Sequence, residues 1–281
     1  MAHHLHIDPF SGIAGDMFLG ALVDLGLDLN DVSAALAKLP VERPYRITTD
    51  RVDRHGIGAV DLKVVLEDEP QSHPHEHQHD HGHTHHHHHT GYRDIMAMVE
   101  QLDTTDRGKQ RAGAVTTVLA EAEARVHGRT LDDIHFHEVG AVDSIVDMLG
   151  SVVALELLEI DTLSCGVLPM TSGFVKCAHG LMPVPAPATA YLLQDLPTLG
   201  VDRRGELITP TGAALVKALC TRFGPPPAMT IRSVGYGAGD RTDPKVPNLL
   251  RLFLGEAQAP GDLGPLSPAV ETTTVPPVHS H

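Results

Sequence analysis

The chain has 281 residues, 42% of them hydrophobic, only 4% aromatic and none Trp, so it can bury one large or two modest cores made mostly of Leu, Val, Ile and Ala. The formal charge of −15 with His neutral argues against a nucleic-acid partner, though 21 His residues tie the charge balance to pH and metal. Cys165, Cys177 and Cys220 form no CxxC pair, no apolar run reaches membrane-spanning length, and MAHHLHIDPF is no signal peptide; together these predict a soluble cytoplasmic protein with no membrane partner.

Residues 5–10 read as a first strand. It runs into Ser11-Gly12-Ile13-Ala14-Gly15-Asp16 and then an apolar-periodic helix over 17–25. Strand, glycine turn, helix is an arrangement that aims backbone N–H groups at an anion. Asp8 would close the strand and Asp16 would sit in the helix's first turn. No Gly-Lys-Ser/Thr follows, so this is not a Walker A loop. A tight turn with Asp16 as a capping or dipole residue explains the same pattern.

A second helix is expected over 28–39, with Asp28 or Asn30 as cap and Pro40 and Pro44 beyond it. Residues 45–52 and 57–67 read as two strands joined at Arg54-His55-Gly56. Then comes a different material. From His73 to His89, 11 of 17 residues are His, including His75, His77, His79, His81, His83 and His85. The tract has nothing apolar to bury and is expected to be disordered without metal. Imidazoles at this density bind Ni, Cu, Zn or Co without choosing among them. Storage or delivery of metal is one reading; a length-tolerant loop is the other.

Two amphipathic helices are expected over 92–102 and 105–127, with Gly128 as the stop. The stretch 131–150, LDDIHFHEVGAVDSIVDMLG, is the chemical centre of the chain. Ile134-His135-Phe136-His137 alternates apolar and polar, the period of a half-buried strand with both imidazoles on one face. Gly140 allows a turn, and 141–158 reads as a helix carrying Asp143 and Asp147 at i and i+4, on one face. His135, His137, Glu138, Asp143 and Asp147 thus suggest a metal or acid/base site, with imidazole suited to Ni, Zn or Fe and carboxylate to Mg or Mn.

Residues 161–169 are a strand candidate. Over 171–180, Lys176 and His179 flank Cys177, which makes either a reactive thiol or an ordinary surface loop; His179 also counts as a metal-ligand candidate. Pro183, Pro185 and Pro187 force an extended approach to a helix at 188–193. Thr209 and Pro210 fit the N-cap and first position of another helix, and Thr211 and Gly212 would let a phosphate approach its N–H groups. Residues 229–234 read as a strand, 235–240 as a glycine turn, 248–254 as a last strand, and the rest as a disordered tail. The fold class is α+β, mixed α/β with interleaved strands and helices. The expected divisions are 1–70 as an N-terminal unit, 71–90 as the disordered insert, 91–255 as the main unit and 256–281 as the tail.

Five segments, DPFSGIAGDM, the His-rich insert, HFHEVGAVDSIVDMLG, GFVKCAHGLMPVPAPATAYLL, and LITPTGAAL with VGYGAGDRTDPKVPNLLRLFLGE, together resemble the LarC family of nickel insertion proteins over about residues 5–255. The resemblance implies a lyase-class nickel insertase. It would place Ni2+ into pyridinium-3,5-bisthiocarboxylic acid mononucleotide through two Ni–S bonds and one Ni–C bond, using CTP with Mg2+ or Mn2+. The product would be the nickel-pincer cofactor of lactate racemase-type enzymes. Each requirement of that reaction has candidates in the sequence. His135, His137 or Glu138 would take the ring C–H proton, with Asp143 beside them. The turn of Asp8, Ser11, Gly12, Gly15 and Asp16, or the helix start at Thr209, Thr211 and Gly212, would hold phosphates and their metal. His135, His137, Asp147, His179 and the His tract are the candidate nickel ligands.

Full-length members of the family continue into a second domain linked with CTP, whereas this sequence reads on into a short Pro/Thr tail. The expected partners are therefore the mononucleotide, CTP and a separate polypeptide supplying that domain, and a homo-oligomer is compatible with the sequence. Two functional classes follow: the insertase, or a nickel chaperone or store built on the His tract that needs a partner domain for chemistry.

Overall fold

A computed structural model of the chain describes residues 3–67, 90–136, 140–177 and 180–257. The α+β expectation holds: seven helices and eleven strands interleave among the described residues. A seven-stranded mixed sheet runs in the order β2-β3-β10-β11-β1-β4-β9. Its strands are β1 (His3–Asp8), β2 (Tyr45–Arg54), β3 (Ile57–Leu66), β4 (Ile160–Cys165), β9 (Cys220–Phe223), β10 (Met229–Ala238) and β11 (Leu249–Ala257). β1 lies between β11, antiparallel, and β4, parallel. β2 and β3 form the antiparallel pair, with Arg54 opposite Ile57.

Helix α1 (Gly15–Asp24) lies across β3, β10 and β11. Its Phe18, Leu19 and Leu22 enter the core with Leu5 and Ile7 of β1. Helix α5 (Val142–Leu157) packs beside α1 and is buried from Met148 to Leu155. Such all-round burial explains its almost uniformly apolar sequence there. Helix α7 (Pro210–Leu219) meets α1 and α5, and the long α4 (Asp106–His127) covers α5, α6 (Pro187–Leu192) and α7. The caps expected at Asp28 and Gly128 form: Asp28 accepts from the Asn30 N–H at the start of α2 (Leu29–Leu36), and Gly128 closes α4 at φ 60°. Thr105, expected as the first helical residue of α4, is instead its cap and accepts from the Gly108 N–H. Helix α3 (Tyr92–Gln101) opens at Gly91, whose N–H is taken by Asp94.

Three expectations are corrected, and one strand pair is new. Residues 134–136 are not a strand: a single 3-10 turn, Leu131–Asp133, is followed by one antiparallel bridge from His135 to Gly91. The alternation was real, since Ile134 and Phe136 are 2% exposed and His135 is exposed, but that one bridge leaves no partner for a ladder. The glycine turn over 235–240 is instead the continuation of β10 to Ala238. Those glycines serve packing: a Cβ on Gly237 would stand 1.8 Å from the Met17 carbonyl of α1, and one on Gly235 2.3 Å from the Ala21 carbonyl. The loop reading of 171–180 gives way to a hairpin of β6 (Phe174–Cys177) and β7 (Gly180–Pro183). A parallel pair, β5 (Leu168–Ser172) with β8 (Thr198–Arg204), was not foreseen at β8, where TLGVDRR has no clear alternation. No described helix is long and apolar enough to cross a membrane.

Candidate functional site

Three helices begin at one place. The loop after β1 and the loop before α7 clasp each other, with the Ile13 N–H donating to the Leu207 carbonyl at 2.8 Å and the Thr209 N–H to the Ile13 carbonyl at 3.1 Å. The clasp allows only glycine at two positions. A Cβ on Gly12 would lie 2.0 Å from the Leu207 carbonyl, and one on Gly212 would lie 2.4 Å from the Ile13 carbonyl. It brings the first turn of α1 against that of α7, where the Gly15 N–H reaches Thr211 Oγ1 at 3.3 Å. The start of α5 completes the group, because Gly15 has no side chain: a Cβ there would stand 2.7 Å from Asp147 Cβ.

Between these helix starts and β3 lies a cavity of about 310 Å³. Ala14, Gly15 and Asp16 line it from α1, Asp143, Ser144 and Asp147 from α5, and Thr209, Pro210 and Thr211 from α7. Leu62, Lys63 and Val64 of β3 form a wall, and Glu206 and Asp240 complete the lining. Thr209 caps α7 by accepting from the Gly212 N–H at 3.2 Å, and its hydroxyl lies 2.9 Å from that of Thr211.

Charge is crowded here. Burial, partly offset by the Met17 N–H bonded to its carboxyl at 2.8 Å, pushes the Asp16 pKa up to about 6. Burial first, then the Asp16 and Asp143 charges, raise Asp147 well above the ordinary carboxylate range, against Lys63 and the Asp16 N–H. Asp147 Oδ1 is enclosed and has no hydrogen-bond partner among the described residues. Asp143, exposed at the start of α5, accepts from the Ser144 N–H at 2.7 Å. Lys63 pairs with Asp61 at 2.7 Å and with Asp240. Among the described residues no three His, Cys, Asp or Glu side chains are preassembled around one metal position.

The structure thus gathers six of the residues singled out from sequence, Gly15, Asp16, Asp143, Asp147, Thr209 and Thr211. Gly12 and Gly212 stand behind them as packing glycines. Asp8 is drawn away by Arg251, whose Nε reaches it at 2.9 Å, and Ser11 is buried under Arg203 at 2.9 Å. His135 is exposed beside Gly91 at the start of α3 and is not among the cavity's lining residues. His137, Glu138, His179, His75, His77, His79, His81, His83 and His85 lie outside the described residues. Lys63, Ser144, Glu206 and Asp240 were not anticipated. Ser144, beside Asp143, was within reach of the helical period; the other three carry no local signal, since long-range pairing alone brings them here.

The fold is thus that of an α+β protein whose helix starts meet over a pocket lined by carboxylates. The chain belongs to the nickel insertion protein family, whose sequence model matches residues 5–274. It is 47% identical over 256 residues to a protein of Geobacter metallireducens, covering 90% of this chain and 61% of the relative. It is 46% identical over 257 residues to one of Geotalea uraniireducens, covering 91% and 61%. A protein of Citrifermentans bemidjiense is 44% identical over 252 residues, covering 90% and 61%. All three are named for nickel insertion. The chain spans about three fifths of the length of these relatives. No solved structure matches it.

Proposed function

We propose that this chain carries the nickel-handling half of an insertase, a lyase-class enzyme that places Ni2+ into pyridinium-3,5-bisthiocarboxylic acid mononucleotide with CTP and Mg2+ or Mn2+. Nickel is the cargo and the mononucleotide the acceptor. The observation that carries the reading is the meeting of three helix N-termini over a pocket that also holds Asp16, Asp143, Asp147 and Lys63. Helix N-termini attract a phosphate, and carboxylates attract the cation that accompanies it. One pocket therefore suits both charges of a metal-bearing nucleotide reaction. The substrate's ring proton needs an acceptor as the Ni–C bond forms. His135 is not among the residues lining this pocket, so the acceptor is sought among those that do.

The test is a mass-spectrometric assay of the purified chain with nickel, CTP, Mg2+ or Mn2+ and the nickel-free mononucleotide. A nickel-bearing small molecule is the expected product. It should form with the chain alone, or after addition of a polypeptide covering the rest of the relatives' length. If neither mixture yields it, the insertase reading fails.

A further inference from the structure

We propose that Asp16, Asp143 and Asp147 form a divalent-cation site at the floor of the cavity, with Asp147 as its fixed ligand. The proposal deepens the reading of this cavity as the place of reaction and rests on it.

The argument begins with an orphan. Asp147 Oδ1 is enclosed, has no hydrogen-bond partner among the described residues, and belongs to a residue that lines the cavity. A buried carboxylate oxygen left without a donor costs the fold the desolvation of that group. Folds tolerate such a group where a ligand satisfies it. Several donors around the cavity are already committed. The Asp16 N–H is taken by Asp147 itself, the Gly15 N–H by Thr211, the Gly212 N–H by Thr209 and the Ser144 N–H by Asp143. Lys63, the one cation lining the cavity among the described residues, is held between Asp61 and Asp240.

Two further carboxylates stand close enough to Asp147 to repel its charge, Asp16 first and Asp143 second. Both lie in the first turn of their helices. Each uses one oxygen on a neighbouring N–H, Asp16 toward Met17 and Asp143 toward Ser144. Asp143 is exposed and can turn inward by side-chain rotation; Gly15, lacking a side chain, leaves the backbone close against Asp147. A doubly charged ion answers both problems, since it satisfies Asp147 Oδ1 and cancels the mutual repulsion. All-oxygen donors suit a hard ion such as Mn2+ or Mg2+ and also accept Ni2+. The Thr209 and Thr211 hydroxyls add neutral oxygens on the same cavity wall.

Mn2+ is the right probe, because it lies lowest in the divalent series and is held poorly by imidazole tracts. The experiment titrates Mn2+ into the whole chain by EPR and follows thermal unfolding in parallel. Wild type should bind one Mn2+ at this site and melt higher with it. Asp147→Asn should bind Mn2+ at least about tenfold more weakly and, without metal, melt higher than wild type, since it removes a buried charge crowded by Asp16 and Asp143. Asp143→Asn, a change at an exposed position that removes one of the charges crowding Asp147, should weaken Mn2+ binding without lowering the metal-free melting temperature. The proposal is overturned if Asp147→Asn binds Mn2+ as wild type does, or if it melts lower in the absence of metal and Asp143→Asn leaves binding intact.

A turnover run with both metals then separates the sources. Mn2+ retained at the site marks an accompanying cation, and its replacement by Ni2+ marks the cargo; either assigns an occupant to the same ligands. If nickel insertion fails in wild type while Mn2+ binds, the function reading falls and the cation site stands. If insertion proceeds with no Mn2+ or Ni2+ bound here, the reverse holds.

Discussion

Asp16 and His6 have unusual environments, one in the first turn of α1 and one within β1. Asp16 is a raised carboxylate, near 6 against an ordinary 3.8. Between those values the folded state holds a proton that the unfolded chain has released, so stability falls as pH rises through the window and stays reduced above it. Asp16→Asn removes that loss. The variant should be more stable than wild type above pH 6, by up to about 3 kcal/mol, with the advantage shrinking toward pH 4.

His6 behaves oppositely. It is 2% exposed, with its Nδ1 on Ser164 Oγ at 2.8 Å. Burial first, then the His4 and Arg222 charges against the pull of Asp8, lowers it to about 4. Below pH 6.5 the unfolded chain takes up a proton that the folded chain refuses until about pH 4, so stability is lost as pH falls through this window. His6→Gln should flatten that acid limb in urea midpoints measured from pH 7 to 4. The sequence showed Asp16 as a candidate anion-site residue, because its place after a glycine turn is local information. It showed nothing special about His6, whose environment depends on β4 and β9 arriving from residues 160–165 and 220–223.

At the scale of elements, caps and glycines decide where the site can form. Thr209 holds the start of α7, and Thr209→Ala should cost about 1 kcal/mol, read from the denaturation midpoint. Gly237→Ala should cost more, on the order of 3 kcal/mol, because its methyl would drive into the Met17 carbonyl 1.8 Å away and lift α1 off the sheet. A variant stable to within a few tenths of a kcal/mol would show that α1 does not lie against β10 as described.

The helices were legible because period and caps are written locally: Asp28, Gly128 and Thr209 all act as their positions imply. Strands were less so. The stretch 134–137 had the right alternation, but of its described residues, 134–136, His135 alone forms a bridge, to Gly91, and alternation reports burial, which other geometries also produce. Gly235 and Gly237 read as a turn because a glycine's local freedom and its use for close helix packing look identical in sequence.

For the whole molecule, the sheet order places β1 between β11 and β4 and carries strands from both sides of the His tract. Three helix starts far apart in sequence therefore meet at one cavity. The i, i+4 spacing of Asp143 and Asp147 and the helix start at Thr209 could be read without a fold. Lys63, Glu206 and Asp240 could not, because nothing near them in sequence marks a pocket. The chemistry named from sequence centred on His135 and its neighbours. The geometry puts Asp143 and Asp147 on the cavity and leaves His135 at the start of α3.

The central claim is that nickel insertion takes place at this cavity, and a single-turnover assay tests it most directly. Wild type, Asp147→Asn and His135→Ala are each mixed with nickel, CTP, Mn2+ and the nickel-free mononucleotide, plus any second polypeptide that wild type requires. The nickel-bearing product is then counted by mass spectrometry. The account predicts that Asp147→Asn loses the product by about a hundredfold or more while His135→Ala keeps most of it. Full activity in Asp147→Asn, with the product lost in His135→Ala, would contradict it.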